Sequence, residues 1–308
     1  MQTLFEQVTT KIIAAIEDGV GTYRMPWHTT DAGSRPSNAI TGRAYRGCNT
    51  LILWAEAQRC VYSSSTWATY RQWSDHGAQV RKGERSTIVL FWKPIGFPSA
   101  EPREDDEGPQ QRGTFARAFR VFNADQVDGY QPKVIAPLDD GLRISAAEEF
   151  FNRLPAGVWF GSDRAFFDPQ ADLISMPSFE HFRKPEGFYS VLAHEEIHWT
   201  GAKSRLDRNL SGRFGTESYA AEELVAELGA AFLTAHLGLS CEPREDHAPY
   251  IKSWLSLLRN DPKAIVTAAS KAQAAADYLI DLANPAASDA AVPSSDAQAS
   301  RQPEREAA

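Results

Sequence analysis

A chain of 308 residues exceeds the usual size of one folding unit, so two domains are expected. With 43% hydrophobic and 23% charged residues, no apolar run of membrane length and no charged-then-apolar leader, the composition excludes a membrane-spanning or signal-bearing protein and fits a cytoplasmic one. The net charge of −8 excludes a uniformly basic nucleic-acid binder, but not one whose cations are gathered in one part of the chain.

In the N-terminal part, Leu4, Phe5, Val8, Ile12, Ile13 and Ile16 recur at helical spacing and predict an amphipathic helix ending near Asp18-Gly19. After a loop through Pro26 and Pro36, helices are predicted at about 48–58 and 65–76, the second from Trp67, Tyr70 and Trp73 with Ser64 or Ser65 as cap. Val80-Arg81-Lys82-Gly83-Glu84-Arg85 reads as a turn presenting cations, with Gly83 permitting the bend. Residues 88–92 and 119–122 read as strands, and the proline-rich acidic stretch 96–113 between them as a solvated, mobile hairpin tip.

This region holds the charge asymmetry. From Gly19 to Pro98 ten Lys/Arg face four Asp/Glu, whereas from Leu138 onward sixteen face twenty-six. The basic part also concentrates aromatics, among them Trp27, Tyr45, Trp54, Trp67, Tyr70, Phe91 and Trp92. Single-stranded nucleic acid is bound by cations that track phosphates and rings that stack on exposed bases without reading sequence. Aromatics that fill a core beneath surface arginines would give the same composition. The candidate contacts are Trp27, Arg43, Tyr45, Arg46, Asn49, Trp67, Arg71, Arg81, Lys82 and Arg85.

Gln131–Asp140, with Pro132 and Pro137, is the expected linker. Beyond it, a helix near 145–153, strands around 158–160 and 173–176, and helices near 249–259 and 263–283 are predicted, followed from residue 284 by a disordered Ala/Ser/Pro-rich tail. Three cysteines, Cys48, Cys60 and Cys241, lack metal-ligand spacing and read as buried thiols in a reducing compartment.

His194-Glu195-Glu196-Ile197-His198 carries the most specific chemistry. Residues i and i+4 of a helix share a face, so both imidazoles can point at one Zn2+ while Glu195 reaches its water as general base. A catalytic zinc needs a third protein ligand and an open position. The next helix, around 221–233, offers Glu223 and Glu227 on one face, with Glu222 about a hundred degrees away. Mn2+ or Co2+ could occupy the same donors. Tyr219 or Tyr189 could stabilise an oxyanion, and Arg205 and Arg208 either bind substrate or anchor the loop through Asp207.

Glu223-Leu224-Val225-Ala226-Glu227 resembles the Glu-x-x-Ala-Asp element of gluzincin metallopeptidases. That resemblance implies Glu223 as third ligand and Glu227 as the carboxylate behind a histidine, with Glu in place of Asp leaving the two roles exchangeable. By its order in zincins, Asp172–Pro177 would be the strand that pairs with an extended substrate. More widely, Pro26-Trp27, the stretch Pro36–Asn49, Trp67–Trp73, Gly77–Arg85, Val121–Gln126, His194–Gly201, Arg205–Arg208 and Tyr219–Leu233 resemble the ArdC family of plasmid antirestriction proteins, in that family's order.

The resemblance implies an α+β protein of two domains: an N-terminal α/β single-stranded-DNA-binding domain at 1–130, a linker at 131–140, a zincin-like, gluzincin-type metallopeptidase domain at 141–283 and a tail at 284–308. Its implied function is shielding incoming DNA of a mobile element from restriction, with single-stranded DNA as partner, a protein of the host restriction machinery as possible substrate, and no membrane. The alternatives are a cytoplasmic zinc peptidase whose N-terminal domain recognises protein, and a non-enzymatic DNA chaperone or primase accessory with a structural metal.

Overall fold

The structure, a computed structural model, describes residues 3–20, 25–28, 35–94, 114–131, 140–210, 212, 216–241 and 248–284. The expected hairpin tip at 96–113, most of the linker and all but the first residue of the tail lie outside the described residues.

Helix α1 (Leu4–Gly19) is opened by a reciprocal cap, in which Thr3 Oγ1 accepts from the Glu6 amide at 3.2 Å and Glu6 Oε2 accepts from the Thr3 amide at 2.6 Å. Val8, Ile12 and Ile16 lie one turn apart and are buried. After strand β1 (Ser37–Asn38), α2 (Cys48–Cys60) follows Gly47 and stops at Val61, both at positive φ. The expected helix over 65–76 is instead strand β2 (Thr66–Thr69) running into a short helix α3 (Tyr70–Asp75). Thr69 explains the break: it is extended, and its hydroxyl accepts from the Gln72 amide, so the cap lies five residues later than Ser64. Thr66 and Thr69 are β-branched and suit the strand.

Strands β3 (Gln79–Val80), β4 (Thr87–Pro94), β5 (Thr114–Asn123) and β6 (Val127–Asp128) complete this part. β4 and β5 pair antiparallel from Thr87↔Val121 to Pro94↔Thr114, giving a sheet of order β1-β2-β5-β4, beside a small β3–β6 ladder.

The C-terminal part begins with α4 (Asp140–Asn152) and a three-stranded sheet of β7 (Gly157–Phe160), β8 (Phe166–Asp168) and β9 (Leu173–Met176). Its order is β7-β9-β8, with β7 parallel and β8 antiparallel to β9. Helix α5 (Pro185–Thr200) packs on β8 and β9, and α6 (Glu217–His236) lies against α5 and against α7 (Ala248–Asn260) and α8 (Ala264–Ala283). No helix among the described residues is long and apolar enough to cross a membrane.

The fold is α+β with two domains, but the main hydrophobic core is shared between them. It joins Val8, Ile12, Ile16, Trp27 and Trp54 to Leu228, Phe232, Trp254, Ile265 and Leu279. Two smaller clusters, one around Trp73 and one around Trp67, cover the faces of the N-terminal sheet.

Candidate functional site

The two helices that meet at the site approach unusually closely. A Cβ built on Gly229 of α6 would lie 2.8 to 2.9 Å from three side-chain atoms of Ile197 of α5, so glycine is what lets the backbones come together. Pro185 opens α5, and the Thr216 hydroxyl caps α6 by accepting from the Tyr219 amide at 3.3 Å.

That contact places His194, His198 and Glu223 within 4.8 Å of one another through their donor atoms. The two Nε2 atoms are 3.1 Å apart, and each is 3.6 Å from an oxygen of Glu223, Oε2 for His194 and Oε1 for His198. Ligands at zinc bond lengths in a tetrahedron stand roughly 3.4 Å apart, so the donor set fits a divalent metal. Burial pushes the Glu223 carboxyl up, but its contact with His194 and the electrostatic pull of both histidines more than offset this and hold it at about 2.

Each histidine is backed by a carboxylate on its other nitrogen. Glu222 Oε1 is hydrogen-bonded to His198 Nδ1 at 3.2 Å, whereas Glu227 Oε2 faces His194 Nδ1 at 3.6 Å, within ion-pair reach but outside hydrogen-bond distance. Glu222, set aside by its angle on the helix wheel, thus faces the back of His198. Arg208 holds it there: its Nη2 donates to Glu222 Oε1 at 2.8 Å and to the Ile197 carbonyl at 2.6 Å, and its Nη1 to Thr200 at 2.8 Å. Burial pushes the Glu222 carboxyl up, and His198 and Arg208 bring it below its ordinary value. Gly201 leaves room for the guanidinium, since a Cβ there would stand 2.9 Å from Arg208 Nη2. Arg205 also anchors, lying over the Trp199 ring at 3.9 Å and donating to Asp172 at 3.1 Å. Both arginines fasten the loop through Glu222 and Asp172 rather than through Asp207.

Between the histidines, the two glutamates have different surroundings. Glu195 lines the cleft with both histidines, whereas Glu196 Oε2 is buried without a partner and burial pushes that carboxyl up to about 8 against the pull of Arg205. Glu195 therefore stands where a substrate could reach it. The cleft has a volume of about 1060 Å³ and is walled by Phe166, Phe167, Phe182, Tyr219 and Tyr250. Burial, the Tyr250 hydroxyl and the Glu223 charge raise the Tyr219 phenol well above its ordinary value, so it keeps its proton. Tyr189 is a core residue, stacked on Phe151 at 5.6 Å.

The strand expected to pair with substrate is also displaced. β9 is the middle strand, hydrogen-bonded on both sides, and offers no free edge; of the two edge strands, β7 and β8, it is β8 that contributes Phe166 and Phe167 to the cleft. Phe166-Phe167-Asp168 is too short and too little alternating to be read as a strand from sequence.

The candidate DNA contacts divide by exposure. Trp27 and Trp67 are fully buried and Tyr45 nearly so, which removes all three as stacking surfaces. Trp27 instead donates its indole N–H to Glu227 Oε1 at 3.1 Å. Asn49 closes the edge of β4, donating to the Leu90 carbonyl and accepting from its amide, each at 2.7 Å. Arg46 pairs with Asp277, Arg71 with Asp75, and Arg81 with Glu84 and Asp128. Arg43, Lys82 and Arg85 are exposed.

Sequence reasoning missed the outward ends of β4 and β5. Val89, Phe91, Arg117, Phe119 and Val121 share one face of the sheet, and while the valines are buried, Phe91 is 52% exposed. Phe91 packs edge-on to Phe119 at 5.1 Å, and Arg117 lies 5.1 Å over the Phe119 ring. Alternation along β4 was the available signal. On the other side of the sheet, Tyr70, Arg81, Lys82 and Phe122 line an open groove of about 500 Å³ together with Glu84 and Asp128, the partners of Arg81.

Comparison with known proteins agrees with both halves. Residues 2–122 match the N-terminal domain of anti-restriction factor ArdC, and residues 145–271 match a zincin-like metallopeptidase family. Protein y4eC of Sinorhizobium fredii is 48% identical over 90% of this chain and 91% of its own length. Two DNA primases named TraC, both from Escherichia coli, are 33% and 34% identical over 89% of this chain, which spans 20% and 27% of them. The metal-free crystal structure of antirestriction protein ArdC from plasmid R388 is 37% identical, with a TM-score of 0.74 covering 92% of this chain and 99% of that one. Its Mn(II)-bound structure superposes with a TM-score of 0.72 over 92% of this chain and 98% of that one. With a relative of this identity covered almost end to end, the chain belongs to the ArdC family of antirestriction proteins.

Proposed function

We propose that this protein is a cytoplasmic antirestriction factor that binds single-stranded DNA through its N-terminal domain and carries a divalent metal, Zn2+ or in its place Mn2+ or Co2+, on His194, His198 and Glu223. The observation that supports the metal centre best is the convergence of three donors at metal-ligand spacing, His194 and Glu223 buried and His198 half-buried, with a carboxylate facing the other nitrogen of each imidazole. The Mn(II)-bound R388 relative supports the wider choice of metal.

For DNA, the supporting surface is the exposed Phe91 and Arg117 with the half-buried Phe119 between them, and the Tyr70–Lys82 groove as a second contact. A base stacked there would contribute about 1–3 kcal/mol. A metal at the centre supplies Lewis acidity toward an amide carbonyl and acidifies water. Glu195 would accept the proton released, Glu227 and Glu222 hold the imidazoles, and the protonated Tyr219 donates toward the oxygen on which charge develops. The β8 edge offers backbone groups to an extended polypeptide, such as a component of the host restriction machinery.

Full-length protein should retain labelled single-stranded oligonucleotide at low salt, with Phe91→Ala or Phe119→Ala weakening binding by about tenfold. His194→Ala should abolish metal loading and leave DNA retention intact. No retention by the wild type would refute the DNA reading; undiminished metal in His194→Ala and His198→Ala would refute the ligand set.

A further inference from the structure

Residues Met25 to His28 belong to the N-terminal part of the sequence, yet they are buried against the back of the metal centre. Trp27 packs edge-on against Trp254 of α7 with ring centroids 6.1 Å apart. Its indole N–H and the His28 Nε2 both address one atom, Glu227 Oε1, at 3.1 and 2.8 Å. The Met25 amide donates to His28 Nδ1 at 2.9 Å, which leaves the ring's proton on Nε2, directed at Glu227. With Oε1 engaged by two donors, Oε2 is turned to His194 Nδ1.

A carboxylate behind a ligating imidazole fixes the ring's tautomer and direction and raises its basicity, and loss of such a group costs about 10- to 100-fold in metal affinity. A glutamate reaches further than an aspartate but has one more rotatable bond to immobilise. The two donors on Oε1 supply that restraint. We infer that Trp27 and His28 are positioning residues for the metal, so that a buried segment of the N-terminal part sets the affinity of the C-terminal site. The inference rests on the metal centre proposed above.

The test is calorimetric titration of Zn2+ into full-length metal-free protein, with circular dichroism confirming the fold of each variant. Trp27→Phe, which keeps a ring but removes the N–H, and His28→Phe should each weaken Zn2+ binding about tenfold. His28→Gln, which restores a donor at similar reach, should bind within about threefold of wild type. In a Glu227→Ala background Trp27→Phe should have no further effect, because its route to the metal is gone. Equal affinity of wild type, His28→Phe and Trp27→Phe would overturn the inference while leaving the metal centre standing, as would an undiminished effect of Trp27→Phe in the Glu227→Ala background. Absence of Zn2+ binding by the wild type would overturn both.

Discussion

Glu56 is buried at the joint between α1 and α2, with Lys11 Nζ 3.4 Å from its Oε2 and Arg59 donating from one turn along the same helix. Burial pushes its carboxyl up, but Arg59 and Lys11 outweigh this and hold it below its ordinary value. The stability such a lowered acid contributes is complete above its unfolded pKa and is lost as pH falls through the folded value. Glu56→Gln should therefore be less stable than wild type by about 1 kcal/mol at pH 7, and urea unfolding over an acid pH series should show the two converging as the pH falls below the folded value. Single residues were legible in the sequence where their role depends on local periodicity. His194 and His198 share a face because they are four apart, and Glu223 and Glu227 likewise. Glu222 was not, because its use depends on where the second nitrogen of His198 and the guanidinium of Arg208 come to rest, which only the tertiary fold decides. Trp27 and Trp67 were misplaced for the same reason: an indole looks alike in sequence whether it lies in a core or on a surface.

Among elements, the α5–α6 contact decides the site, since the histidines and Glu223 come from opposite sides of it. Gly229→Ala would drive a methyl into Ile197, whose side chain is fully buried and has branches toward the added group. Overpacking of this kind costs about 1–3 kcal/mol, so the variant's thermal transition should fall. The same displacement moves Glu223 away from the imidazoles, and metal affinity should fall with it. A Gly229→Ala protein with wild-type melting temperature and metal affinity would show that the helices have room to part. The long helices were legible from apolar spacing and caps, and the β4–β5 hairpin from its β-branched and aromatic runs. The 65–76 segment was not, because a cap at Thr69 and a strand ending there compete with a helical spacing of aromatics that continues through both. β9 was found as a strand, but its place in the middle of the sheet depends on β8, whose three residues carry no periodic signal.

For the whole molecule, the two sequence halves identified by their motifs share the main core, and only the two small clusters on the N-terminal sheet belong to one half alone. Trp27 lies on Trp254, Trp54 on Phe232 at 6.0 Å, and the Thr9 hydroxyl donates to the Pro262 carbonyl at 2.6 Å. Gln273 of α8 accepts from the Gly47 amide at 3.1 Å, at the start of α2. Removing the N-terminal half would uncover Phe232, Trp254, Ile265 and their neighbours, each at about 1.5–3 kcal/mol for a large apolar side chain. A domain's net stability is about 5–15 kcal/mol, so re-exposing a handful of such residues suffices to unfold it. A fragment of residues 140–284 should therefore lack a cooperative thermal transition and exchange its α6 amides rapidly, although it contains all three metal donors. Co-expression with residues 1–131 should restore both the transition and the protection. A fragment 140–284 that melts cooperatively and protects α6 on its own would show that the shared core is dispensable.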